Sequence, residues 1–307
     1  MATRNYLLLS ASKIALGSVQ FGSNYGVSNK IGKTHKDTVG KIIQYAYKQG
    51  IDMLDTAPSY GDSESVVGEL IYGDIHKDNY WKVITKTPSF ENGRIGNEQV
   101  DKLLNSFRLS QKKLAINVIY GLLIHNCDNI FLPGGEKLLN ALEQLKKEGA
   151  IKKIGISVYS GEQIDRVLYN YSIDLVQLPV NILDQRLLKG GQLKKLKMRG
   201  VEIHARSIFL QGLLLMPLKE VSSWFNPIKH RLNAFHMEAN KQGMTTLQFA
   251  LGFVQSIDEI DRVVVGVNTL EHLYEIIGTA SIRINTDEFS SLSINDSVFL
   301  NPSNWKL

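Results

Sequence analysis

Four ionisable residues combine into one chemistry. Asp55, Lys86 and His125 each end a short apolar run: Ile51 to Asp55, Trp81 to Lys86 and Ile116 to His125. Tyr60 follows on the adjoining segment Asp55-Thr56-Ala57-Pro58-Ser59-Tyr60-Gly61. If the runs are parallel strands, all four groups meet at one rim. A tyrosine hydroxyl ordinarily titrates near ~10 and is a poor acid at neutral pH. A neighbouring ammonium lowers that value, so Lys86 is expected to activate Tyr60 while Asp55 holds Lys86 charged and in place. His125 is suited to hydrogen-bond and orient a substrate carbonyl. Tyr60 would then protonate the oxygen as hydride reaches the carbon. No side chain donates hydride, so this chemistry requires a cofactor. Singly, each residue has an ordinary structural use; their convergence points to catalysis.

The elements that must position these groups alternate along the chain. Strand-like runs at Ile14 to Val19, Ile51 to Asp55, Trp81 to Lys86 and Ile116 to His125 are each followed by a helical pattern, at Lys36 to Gln49, Ser63 to Tyr72, Asn97 to Leu109 and Gly135 to Glu148. The second half repeats this: strands at Ile154 to Ser157, Asp174 to Leu178, Val201 to Ala205 and Val263 to Val265, with helices at Gly161 to Tyr171, Gln192 to Arg199, Thr246 to Gln255 and Leu270 to Gly278. Eight strand–helix units in this length favour a closed (β/α)8 TIM barrel of the α/β class, read as one domain over residues 1–307. An open doubly wound sheet is the alternative by pattern alone. Tyr6 to Lys13 is expected to form a short N-terminal hairpin over the barrel floor. An insertion runs from Met216 to Gln242, and a C-terminal tail from Thr286 to Leu307.

The ordered motifs resemble the aldo-keto reductase superfamily. The resemblance is carried by Leu16 to Gly22, by Asp55 to Gly61, by Lys86 and by Leu123-Ile124-His125-Asn126. It continues through Gly155 to Ser160, Val176 to Asn181, Ala205 to Leu214 and Val265 to Leu273. It implies that Asp55, Tyr60, Lys86 and His125 take the catalytic places, and that a nicotinamide dinucleotide binds, NADP(H) favoured over NAD(H). It further implies that Ser157 and Gln177 hold the nicotinamide carboxamide. Arg206 stands where many members stack an aromatic ring on the nicotinamide, and a guanidinium plane can stack there too. Ser207, Phe209 and Gln211 would follow the pyrophosphate, while Gly266, Asn268 and His272 would face the adenosine. Val158 stands where many members carry Asn. Gly266 and His272 stand where several carry the Lys and Arg that grip a 2′-phosphate.

Composition bounds the remaining possibilities. The chain has 307 residues, 43% apolar and 21% charged, as in a soluble protein with a sizeable core. Its formal charge of +5 suits anionic ligands but is too small to argue for nucleic acid. One cysteine, Cys127, excludes an internal disulfide and a cysteine-built metal site, and fits a reducing cytoplasm. No apolar run approaches a membrane span, and no metal ligand is assigned. Cys127 lies close to His125 and would share its face if both lay on one strand, yet no oxyanion-hole motif accompanies the pair. The expected partner is a small carbonyl compound, sugar-like if Asn24, Asn126, Asn181 and Arg206 form a polar rim, and Tyr25 and Asn126 are expected to border its pocket. The reading is an NAD(P)H-dependent reductase of aldehydes or ketones. A cofactor-sensing barrel with negligible turnover and a phosphosugar isomerase or lyase are the alternatives.

Overall fold

A computed structural model describes residues 13–72, 81–91 and 93–307. The expected hairpin at Tyr6 to Lys13 falls almost wholly outside the described residues. Eight parallel strands close into a barrel in chain order: β1 (Ile14–Gly17), β2 (Met53–Asp55), β3 (Lys82–Lys86), β4 (Ile119–Ile124), β5 (Ile151–Ser157), β6 (Leu175–Pro179), β7 (Glu202–Arg206) and β8 (Arg262–Gly266). Closure is made by β1 against β8, with Gly17 beside Gly266. The strands are rich in β-branched residues and nearly wholly buried, as parallel strands sandwiched between helices and a filled interior must be.

Ala15, Met53, Ile84, Leu123 and Leu175 pack together as a small core separate from the main one. It comes from alternating inward positions, and it fills the barrel rather than leaving a pore. A much larger core lies between strands and helices. The helix Lys36–Lys48 shows how: Val39, Ile42, Ile43 and Ala46 recur at helical spacing and all are buried.

Two differences from the sequence pattern have clear causes. The third-unit helix runs Asn97–Leu114, past the expected end at Leu109, because Leu103, Phe107, Ser110 and Leu114 continue one buried face. Ala115 then stops it in a left-handed conformation. The insertion after β7 contains a helix, Lys229–Lys241, which buries Leu232, Phe235 and Ala239. Its charged faces hide that stripe from a composition-based reading.

Candidate active site

Parallel strands all end at the same face, so β2, β3, β5, β6, β7 and β8 deliver Asp55, Lys86, Ser157, Gln177, Arg206 and Gly266 to one rim. Register sets the neighbours: Gly17 pairs with Asp55, and Ser157 with Gln177. The rim surrounds a cleft of about 1010 Å³, the upper end of the size range for ligand sites.

Lys86 is 2% exposed and Asp55 4%. The Lys86 ammonium donates to both Asp55 carboxylate oxygens at 2.9 and 3.0 Å, and to the Thr56 carbonyl at 2.9 Å. Gln177 Nε2 donates to Asp55 Oδ1 at 2.7 Å. Burial pulls the Lys86 pKa down, but the Asp55 carboxylate and the Tyr60 hydroxyl outweigh it and leave the ammonium more basic than usual. Lys86 Nζ also lies 4.9 Å from the centre of the Tyr60 ring.

Tyr60 is placed by a tight backbone contact. Gly61 has φ +61°, and a side chain on it would strike the Gly22 carbonyl. A side chain on Gly22 would in turn strike the Tyr60 carbonyl. The Tyr60 loop therefore rests backbone to backbone on the turn after β1. Behind it, Ser18 Oγ donates to the Asp55 carbonyl at 2.8 Å, and Ser63 Oγ to the Ser18 carbonyl at 2.8 Å. His125 follows β4. Its backbone N–H donates to Thr87 Oγ1 at 3.3 Å, and its ring stands edge-on to Tyr60, centres 6.3 Å apart. Among the described residues the imidazole makes no hydrogen bond, and the residue lines the cleft.

The electrostatics correct one sequence expectation. Tyr60 does not have a lowered pKa: burial raises it above the ordinary value, and Lys86 only partly offsets that rise. Removing a phenolate from water costs more than one cation, itself paired with Asp55, returns. Burial and the Lys86 charge push His125 down to about 4, so it is neutral at physiological pH. A neutral imidazole beside a protonated phenol is a hydrogen-bonding pair suited to a carbonyl oxygen.

The remaining nominated residues line the same cleft. Ser157 and Gln177 sit side by side on its floor. Arg206 donates to Ser207 Oγ at 3.2 Å and to the Val158 carbonyl at 3.1 Å, with its guanidinium 4.1 Å from the centre of the Tyr159 ring. Beyond it, Ser207, Leu210, Gln211 and Gly212 all have positive φ. Asn181 supports that contorted loop by donating to the Ser207 carbonyl at 3.1 Å. Phe209 and Gln211 line the wall. Asn268 and His272 stand at the start of the helix Leu270–Thr279, whose cap is Thr269.

Four sequence readings change. Asn181 is fully buried, with Oδ1 accepting from the backbone of Leu183 and Asp184, and serves the loop rather than the rim. Asn126 caps the short turn Cys127–Phe131. Neither it nor Asn24 lines the cleft. Cys127 does not share a strand with His125, because β4 ends at Ile124; its thiol is buried and pushed up to about 12. Tyr25, expected to border the substrate pocket, does line the cleft, and Gln20 and Tyr159 line it too without a role in the sequence reading. Gln20 Oε1 is buried without a partner, and its amide occupies the space a side chain at Gly266 would need. The motifs containing them were visible, but their orientation depends on loops.

An orphaned acceptor, adjoining Ser and Gln side chains and a long cleft form a donor and acceptor set that fits a nicotinamide dinucleotide. Among the described residues no group of His, Cys, Asp and Glu could hold a metal ion, and no helix is long and apolar enough to cross a membrane. Residues 13–295 match the profile of the Aldo/keto reductase family. D-arabinose 1-dehydrogenase of Saccharomyces cerevisiae is 25% identical, over 92% of this chain and 88% of that protein. NADH-specific methylglyoxal reductase of Escherichia coli is 26% identical, over 67% of this chain and 66% of that protein. An aldo-keto reductase of Bacillus halodurans in its holo form superposes with a TM-score of 0.72 at 18% identity, covering 91% of this chain and 90% of its own, which speaks for the fold. With the barrel and its rim in view, the chain belongs to the Aldo/keto reductase family and is an NAD(P)H-dependent oxidoreductase of carbonyl compounds.

Proposed function

We propose that the enzyme reduces an aldehyde or ketone to an alcohol, with Tyr60 as general acid, Lys86 and Asp55 as its electrostatic support, and His125 orienting the carbonyl. The observation that carries this reading is Tyr60 and His125, its ring unbonded, lining one cleft over a buried Lys86–Asp55 pair. A bound reduced nicotinamide supplies the hydride. Ser157 and Gln177 hold its carboxamide; Gln177 keeps its carbonyl oxygen for that purpose while its NH2 serves Asp55. Gln20 offers the same ligand a buried acceptor.

The raised pKa of Tyr60 keeps its proton in place until an oxygen of rising basicity arrives. As the carbonyl carbon is reduced, its oxygen takes that proton, and Lys86 stabilises the phenolate left behind. Asp55 keeps Lys86 charged through the cycle. His125, neutral, donates one N–H to the same oxygen and so fixes which face of the carbonyl is presented.

NADP(H) is proposed as the preferred cofactor and NAD(H) as the alternative. The names of the relatives, an arabinose dehydrogenase and a methylglyoxal reductase, support small polar carbonyls as substrates. Fluorescence titration with NADPH and NADH in parallel tests the cofactor, and a carbonyl screen with the tighter one tests the reaction. Turnover of at least one carbonyl is expected. Tight cofactor binding with no turnover across the screen would instead assign a sensing role, and failure to bind either dinucleotide would remove the reading altogether.

A further inference from the structure

The inner end of the cleft carries an unbalanced positive charge. Of the lysine and arginine side chains lining it, Lys86 pairs with Asp55 at 2.9 Å and Lys30 with Glu220 at 2.7 Å. Arg206 has no carboxylate partner among the described residues. Its guanidinium donates to one hydroxyl and one carbonyl, from NH1 and NH2, which leaves other N–H groups of its five free. The guanidinium carbon lies over the Tyr159 ring, 4.1 Å from its centre, a cation–π contact that adds to these two hydrogen bonds. The Arg206 charge in turn lowers the Tyr159 pKa.

Arg206 also faces the reaction centre. Its charge acts on Tyr60, His125, Tyr25 and Tyr159 together, so all lie within its electrostatic reach. Tyr25 and Tyr159 line the same cleft as the guanidinium. A free, oriented guanidinium with two phenols beside a carbonyl-reducing centre matches the geometry of an oxyanion, which Arg binds in bidentate fashion. A neutral aldehyde would leave that cation facing only water.

We propose that Arg206, with Tyr25 and Tyr159 in the same cleft, binds an anionic oxyacid group on the substrate, so that the enzyme prefers carbonyl compounds bearing a carboxylate or a phosphate close to the reacting carbon. The proposal rests on the reductase reading above and narrows its substrate class. It differs from the alternative use of Arg206, stacking on the nicotinamide, which would tune cofactor affinity and leave substrate charge unread.

The test uses matched pairs. Succinic semialdehyde against butanal isolates a carboxylate, and glyceraldehyde 3-phosphate against glyceraldehyde isolates a phosphate. For at least one pair, kcat/KM should favour the anionic member by about tenfold or more, as expected for one charge-assisted contact. In Arg206→Gln that ratio should fall to within about threefold of unity, with Tyr159→Phe between the two. Cofactor affinity is measured on the same variants. A ratio at or below one for both pairs overturns the proposal, as does an Arg206→Gln protein that keeps the ratio and loses cofactor affinity instead. The reductase reading stands or falls separately, on the wider carbonyl screen; where the wild-type protein reduces none of these four compounds, binding replaces turnover as the readout. Calorimetric binding of succinate and of inorganic phosphate to the cofactor-loaded protein then decides: binding of either that is lost in Arg206→Gln supports the anion site, and no binding of either removes it.

Discussion

The barrel carries the same four functional groups, a carboxylate, an ammonium, a phenol and an imidazole, at both ends. At the rim stand Asp55, Lys86, Tyr60 and His125. At the floor stand Glu202, Lys153, Tyr120 and His204. In each set a lysine ammonium faces a tyrosine ring, at 4.9 Å for Lys86 and Tyr60 and 5.3 Å for Lys153 and Tyr120. Each set also borders a cavity, of about 1010 Å³ at the rim and about 570 Å³ at the floor. The difference lies in where the hydrogen bonds go. At the floor, Tyr120 donates to Glu202 Oε2 at 2.8 Å, His204 Nε2 bonds Glu202 Oε1 at 2.7 Å, and Lys153 pairs with the same carboxylate. The carboxylate engages all three neighbours, and among the described residues the unpaired His204 Nδ1 is wholly buried, away from the cavity. At the rim, Asp55 takes Lys86 and Gln177 but neither Tyr60 nor His125, so the phenol and the imidazole retain capacity for a ligand. Residue composition and a nearby cavity do not make a site; unspent hydrogen-bonding capacity does.

The sharpest way to break this contrast is to remove one hydroxyl from each end. Tyr60→Phe should lower kcat/KM by about 10²–10⁴-fold, the usual worth of a general acid, while the cofactor dissociation constant moves little. Tyr120→Phe should leave kcat/KM within about twofold and instead cost roughly 1–3 kcal/mol of stability, from a lost bond to a charged acceptor. Steady-state kinetics and denaturant unfolding on both proteins check the pair. Lys86→Met should cost about 10²-fold in rate and also about 3–5 kcal/mol in stability, because Asp55 is left buried without its cation. A Lys86→Met enzyme with normal stability would mean that the pair is not the buried unit described.

The floor makes its own prediction in the pH dependence of folding. Burial alone would raise the Glu202 pKa, but His204, Lys153 and Tyr120 hold it well below the usual 4.5. A carboxylate whose folded pKa is depressed stabilises the protein above its unfolded pKa and loses that contribution as pH falls through the folded value. Glu202→Gln should therefore be less stable than the wild type by about 2 kcal/mol at neutral pH. The gap should close progressively below about pH 4.5. Urea unfolding of both proteins across that range measures it. The smallest expected effect concerns the rim. With His125 at about 4 and Tyr60 above its ordinary value, the reductive kcat/KM should be flat through neutral pH and fall only in strong alkali. A midpoint near pH 7 would place the reacting proton elsewhere.

These two ends also show what the sequence could tell and what it could not. The alternation of apolar runs with amphipathic stretches made the barrel legible, because parallel strands and their helices impose different periods. Asp55, Lys86 and His125 were legible because each closes an apolar run, and every such run ends at one face. The direction of the Tyr60 shift was not, since it depends on how burial weighs against a cation already engaged by Asp55. Asn126 and Asn181 look like rim residues in the sequence, and only the backbone of their loops shows them to be caps. Gln20 and Tyr159 were missed for the same reason: loop geometry, not strand alternation, aims them. The floor set gave no signal at all, because Tyr120, Lys153 and Glu202 lie at strand beginnings.

The contact between Gly22 and Gly61 has a consequence for redesign. Neither position accepts even a methyl group: one on Gly61 would push against the Gly22 main chain, and one on Gly22 against Tyr60 and Ser63. Random mutagenesis that varies one of them at a time should return inactive clones, and recombination between distant homologues should succeed only when both travel together. Altered substrate scope is better sought at Tyr25, Tyr159 and Arg206, whose side chains border the open space of the cleft.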